Sequence, residues 1–219
     1  MGLGTYIACG AGAAAVVGGS VAFMASGSST AGDSPYEAPN FDSSVPHGSL
    51  SDWISYGDYV VVGTVIGESE VGERQVHGDG TSSVGRSVTL RVERTIWAAP
   101  GFEQLESVEV SDWGWSIVDN RRQASNDHMK VGERYMLPLA RFERGWGYIG
   151  LRGYKVDGDR LTRDLSNGRT WLKDLGGMPL EDLESALGVT EPDPRVVPLR
   201  HLSANQCAEE IFGGAMAHP

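Results

Sequence analysis

Tyr59-Val60-Val61-Val62-Gly63-Thr64-Val65-Ile66 is the most strongly patterned run in the chain. β-branched side chains crowd one another on a helix and fit the pleated surface of a strand. The run therefore predicts a strand, apolar on both faces over part of its length, and Gly63 in its middle predicts a bulge or sharp bend. Just before it, Leu50, Trp53 and Ile54 share one helical face and Gly57 ends the turn, so a short helix leads into the strand.

Further strands follow downstream. Arg86 to Trp97 alternates, with Val88, Leu90 and Val92 on one side and Thr89, Arg91 and Glu93 on the other. Val108 and Val110 continue into Trp113 and Trp115 as a third strand, and Glu133 to Glu143 makes a fourth with Tyr135, Leu137 and Leu139 on one face. Trp146 to Leu151 and Tyr154 to Leu161 form a last pair, the second turning at Asp157-Gly158. Between them, Val71 to Gly85 and Asp119 to Val131 read as polar loops. The pattern then becomes helical. Pro179 to Leu187 carries acids near its positive end and stops at Gly188. Ser203 with Gln206 forms a capping box for a second helix through Phe212, closed by Gly213.

Thr5 to Ala25 is uncharged for 21 residues, about the length needed to cross ~30 Å of hydrocarbon. It is expected to be a signal or, preferentially, an uncleaved membrane anchor through residues 5–25, with the bulk of the chain extracytoplasmic. Ala25-Ser26-Gly27 and Ser29-Thr30-Ala31 would suit cleavage, which would make the protein secreted. Gly10, Ala14 and Gly18 recur at a spacing that lets two membrane helices approach closely. The expected organisation is a targeting helix over residues 1–27, a Ser/Gly/Pro tether over 28–48, a β domain over 49–165 and a C-terminal segment with two short helices over 166–219.

Net charge is −11, of which −8 lies in residues 1–73, where there is no Lys or Arg. Binding to duplex nucleic acid needs a basic surface, and Arg121-Arg122 is the one adjacent basic pair, so a nucleic-acid partner is not expected. Cys9 lies in the apolar N-terminal run and Cys207 near the other end, which makes a disulfide between them implausible; Cys207 is expected to be a small buried residue.

Chemistry-bearing motifs are sparse. His47, His77, His128, His201 and His218 show no ligand spacing, and no phosphate-cradling loop opens a helix. No catalytic residue, metal ligand or cofactor is assigned. Asp119, Asp127 and His128 could gather in the 119–128 loop, which supports an alternative reading as a cell-envelope hydrolase. Gly114-Trp115-Ser116 lacks the closing glycine of a nucleophile elbow. The aromatic residues are more suggestive. Trp113 and Trp115 stand two apart on one strand, and Trp146, Tyr148 and Tyr154 fall on strands that could lie nearby. Exposed, such rings make a stacking platform; buried, they fill the core.

Several stretches carry a resemblance. Ser55 to Val65, Val88 to Arg94, Val131 to Leu139 and Gly177 to Leu183 resemble segments of the OB-like barrel domains of uncharacterised bacterial secreted or membrane-anchored proteins. The likeness spans roughly residues 50–187. It implies a mainly β fold: a small five- to six-stranded OB-like barrel with short flanking helices. The same topology occurs in netrin-like and tissue-inhibitor-type protease inhibitors, which depend on cysteines that this chain lacks between Cys9 and Cys207. The resemblance implies no catalytic residues. The function expected is an extracytoplasmic, membrane-anchored binding or interaction module, with an unknown envelope protein or glycan as partner and Trp113, Trp115, Trp146 and Tyr148 as candidate ligand-binding residues.

Overall fold

A computed structural model describes residues 45–123, 128–150, 153–164 and 175–213; the side chains of Trp113, Arg163 and Asp164 lie outside the described set. The 5–25 stretch also lies outside it. No described helix is long and apolar enough to cross a membrane.

The described chain is mainly β. Helix α1 (Leu50–Tyr56) is capped by the Ser49 side chain, which accepts from the Asp52 N–H. Eight strands follow: β1 (Tyr59–Val76), β2 (Ser82–Ala98), β3 (Ser107–Val118), β4 (Arg121–Gln123), β5 (Arg134–Phe142), β6 (Gly145–Tyr148), β7 (Tyr154–Asp157) and β8 (Arg160–Asp164). Helices α2 (Leu180–Val189) and α3 (Ala204–Phe212) come last. The Ser203/Gln206 capping box opens α3, and Gly213 closes it in the left-handed conformation, φ 59°.

The strand order is β1-β2-β3-β6-β5, and β5 pairs back onto β1, so the sheet closes into a ring through five strands. All ring pairings are antiparallel except β3 with β6, which meet in parallel at Val110 and Trp146. The β7–β8 hairpin extends the sheet from β5.

Closure explains why the Val60–Val62 run is apolar on both sides. Tyr59, Val61 and Val65 point into the ring, where they pack with Val88, Leu90, Val110, Leu137 and Tyr148. Val60 and Val62 point outward into a second core shared with Trp53 and Ile54 of α1, Leu183 and Leu187 of α2, and Cys207 of α3. Cys207 is buried as expected, its thiol donating to the Leu199 carbonyl at 3.0 Å, and burial pushes its pKa up. Gly63 sits at a register shift between β1 and β2; a Cβ there would lie 2.7 Å from the Arg91 carbonyl oxygen.

Two expected loops are corrected. Most of Val71–Gly85 is strand: β1 and β2 run past the ring as a hairpin arm that turns only at residues 77–81. The Asp119–Val131 loop contains β4, joined to β3 by Asp119 and Asn120, both left-handed at φ 51° and 59°. That is the backbone a two-residue hairpin turn requires. Both segments are polar because they lie mostly outside the cores, so neither shows the apolar alternation that marks a buried strand. Among the described residues the strands number eight where five or six were expected: the Tyr154–Leu161 segment, expected to turn at Asp157-Gly158, divides there into β7 and β8, and β4 is the strand not expected.

Candidate site around Arg86

The arm has an inner face continuous with the ring interior. On β2, Val84, Arg86, Val88 and Leu90 alternate onto it, and on β3 so do Val110 and Asp112. A register shift then places Trp115 opposite Val84. A two-for-one bulge of this kind re-aims the residues beyond it.

Arg86 is the largest fully buried side chain of the described structure, 2% exposed. Its Nε donates to Glu68 at 3.1 Å, and one terminal nitrogen donates to Glu68 at 2.7 Å and to the Met129 carbonyl. The other donates to Asp112, itself 2% exposed. Asp112 accepts further bonds from the Tyr148 hydroxyl at 3.1 Å and the Met129 N–H at 3.3 Å. Burying a guanidinium is tolerable only when its charge is balanced and its donors are largely met; here two carboxylates balance it and four hydrogen bonds engage its five N–H groups. Trp115 packs over this centre. The Arg86 guanidinium lies 5.1 Å from its ring centroid, that of Arg122 lies 5.9 Å away, and the His128 ring meets its edge at 5.3 Å. Arg122 in turn pairs with Glu70 on β1.

A second charged cluster adjoins on β5. The Tyr135 hydroxyl donates to Glu133 at 2.6 Å and accepts from the Lys130 N–H at 3.0 Å, while Lys155 donates to Glu133 at 2.7 Å. The Lys155 and Tyr135 bonds hold the Glu133 carboxyl below its ordinary pKa, and burial drives the Tyr135 phenol well up.

Of the residues the sequence singled out, Trp115 and Tyr148 come together here, either side of the Arg86–Asp112 pair. Trp146, on β6, pairs with Val110 of β3, and its ring lies 5.7 Å from Tyr59; Tyr59 also meets Phe102 edge-on at 5.4 Å. Tyr154 lies in the outer core against Trp53. The side chain of Trp113 and all of Asp127 lie outside the described residues. Tyr148 is buried, whereas Trp115 and Trp146 are half-buried. Among the described residues no three His, Cys, Asp or Glu side chains converge as metal ligands.

Arg86, Glu68, Glu70 and Asp112 escaped sequence reasoning as a group. The available signal was parity: Arg86 occupies the same face of an alternating strand as Val88 and Leu90, so the pattern itself buries a charge.

Comparison with known proteins finds no matching family model, no similar curated protein and no similar solved structure.

Proposed function

We propose that this chain is an extracytoplasmic, membrane-tethered binding module built on an OB-like barrel of netrin/tissue-inhibitor topology. The ring order β1-β2-β3-β6-β5-β1 with one parallel contact supports the OB-like reading. Membrane tethering rests on the uncharged Thr5–Ala25 stretch alone.

The observation that carries the binding reading is that the Arg86 site spends its hydrogen bonds on its own strands and loops. Arg86 makes four hydrogen bonds, to Glu68, Asp112 and Met129, and Asp112 has accepted from three neighbours. A catalytic acid, base or electrophile must reach substrate, whereas Arg86 and Asp112 are both buried and bonded to the strands and loop around them. The arm around it leaves Trp115 half-buried and Arg122 exposed at the surface.

The test is location and turnover together. Protease added to intact cells should cut the full-length protein, and the purified full chain should leave envelope polymers unhydrolysed. Protection from external protease, or release of soluble fragments from the polymers, would overturn the proposal.

A further inference from the structure

β1 has two edges, and they are used unequally. β2 covers one from Tyr59 to Val76. β5 covers the other only from Tyr59 to Thr64. The last bonds on that side are Val65 N–H to the Glu133 carbonyl, 3.0 Å, and Gly132 N–H to the Val65 carbonyl, 2.8 Å. Beyond them, no described strand lies on this edge between Gly67 and Val71.

This stretch, open among the described strands, is regular. Its register with β2 runs unbroken from Gly67 opposite Thr89 to Val71 opposite Gly85, with irregularities just outside at Val65/Gly67 and Val71/Gln75. Five extended residues span about 17 Å, the length of an ordinary strand. Unpaired N–H and C=O groups along such an edge are a template for another strand.

The side chains decide what fits. Glu68 and Glu70 share one face of the edge and remain 35% and 43% exposed, even with Arg86 and Arg122 beside them. Ser69 stands on the opposite face between Gly67 and Val71, which favours small or apolar neighbours. A second copy fits poorly: two-fold pairing about Ser69 would set Glu68 directly opposite Glu70 of the other copy, and opposed like charges destabilise a sheet. The flanking irregularities hinder self-pairing further. Repulsion of its own copy is what leaves the slot selective for a partner of opposite charge.

We infer that the Gly67–Val71 edge of β1 accepts an extended peptide segment as an added strand, with basic side chains at alternate positions facing Glu68 and Glu70. Main-chain bonds supply the affinity, and the alternation supplies the selectivity. The inference deepens the binding-module reading and rests on it, yet it can fail separately: peptide binding is measured on purified protein, whatever the protein's location in the cell.

The experiment adds a short alternating Val-Lys peptide to the full chain and follows backbone amide exchange residue by residue. The expected result is about tenfold slower exchange for edge-facing amides within Gly67–Val71, weakened by added salt. The same peptide N-methylated at alternate residues, and an alternating Val-Glu peptide, should give no protection. Three results would overturn the inference: no protection by the Val-Lys peptide, equal protection by either control, or protection of these amides by raising protein concentration alone.

Discussion

The two halves of β1 form an internal comparison. From Tyr59 to Val65 the strand has a neighbour on each edge and a packed core on each face. From Gly67 to Val76 it keeps one neighbour among the described strands, and its side chains are largely exposed, Val71 at 47% and Val76 at 79%. One continuous strand is thus held by apolar burial at one end and by ladder hydrogen bonds plus a few charged clasps at the other. Secondary structure persists without a core when an adjacent strand supplies the hydrogen bonds, but its sequence then carries little of the usual signature.

The sharpest way to break this contrast is to remove the clasp. Arg86→Met would leave Asp112 buried without its cation, and the expected loss is about 3–5 kcal/mol in chemical denaturation. The double variant Arg86→Met/Asp112→Leu should recover much of it; failure to recover would mean that the pair does more than balance its own burial. Leu137→Ala, inside the ring and fully buried, should cost about 3 kcal/mol. Val71→Ala on the arm should stay within about 0.5 kcal/mol.

A matched pair of glycines sharpens the comparison. A Cβ at Gly63 would press on the Arg91 backbone, whereas one at Gly67, four residues along, meets nothing within 4 Å. Gly63→Ala is expected to lower stability by about 1–3 kcal/mol and Gly67→Ala to leave it nearly unchanged, both read from thermal unfolding. Equal effects would mean that the arm is packed as tightly as the ring.

The smallest expected effect is on pH dependence. Glu133 and Glu93 both have folded pKa values below the ordinary 4.5, through bonds from Lys155 and Tyr135 in the first case and Thr64 and Arg134 in the second. A depressed carboxylate contributes stability that is complete above its unfolded pKa and is lost as pH falls through the folded value. Denaturation midpoints should therefore decline below pH 4.5, and Glu133→Gln should flatten that decline. An unchanged slope would remove Glu133 from the account.

The ring was largely legible in the sequence because burial writes a period. Val88 and Leu90, Leu137 and Leu139, and the doubly apolar Val60–Val62 each announce which faces are covered. The cap of α3 was legible through the Ser203-to-Gln206 spacing, whereas the Ser49 cap of α1 was not read from the sequence. The arm was not, since Glu68, Ser69, Glu70 and Gly72 offer no apolar alternation and resemble a loop. Nor was the association of Trp115 and Tyr148 with Arg86, which depends on a register shift and a parallel contact between strands far apart in sequence. Trp146 was grouped with Trp115 by residue type, and the register separated them.

The closing contacts of the ring also impose an order in time. They join Tyr59 to Leu139 and Val110 to Trp146, so no closed sheet can exist until the chain has been made past β6. The β1–β2 hairpin needs only residues 59–98 and can zip on its own local contacts. A chain emerging from a ribosome would therefore display the arm while its own β5 is still missing. In that interval the open edge of β1 reaches back to Tyr59, and a neighbouring chain that paired two-fold about Ser69 would set Glu68 against Glu70.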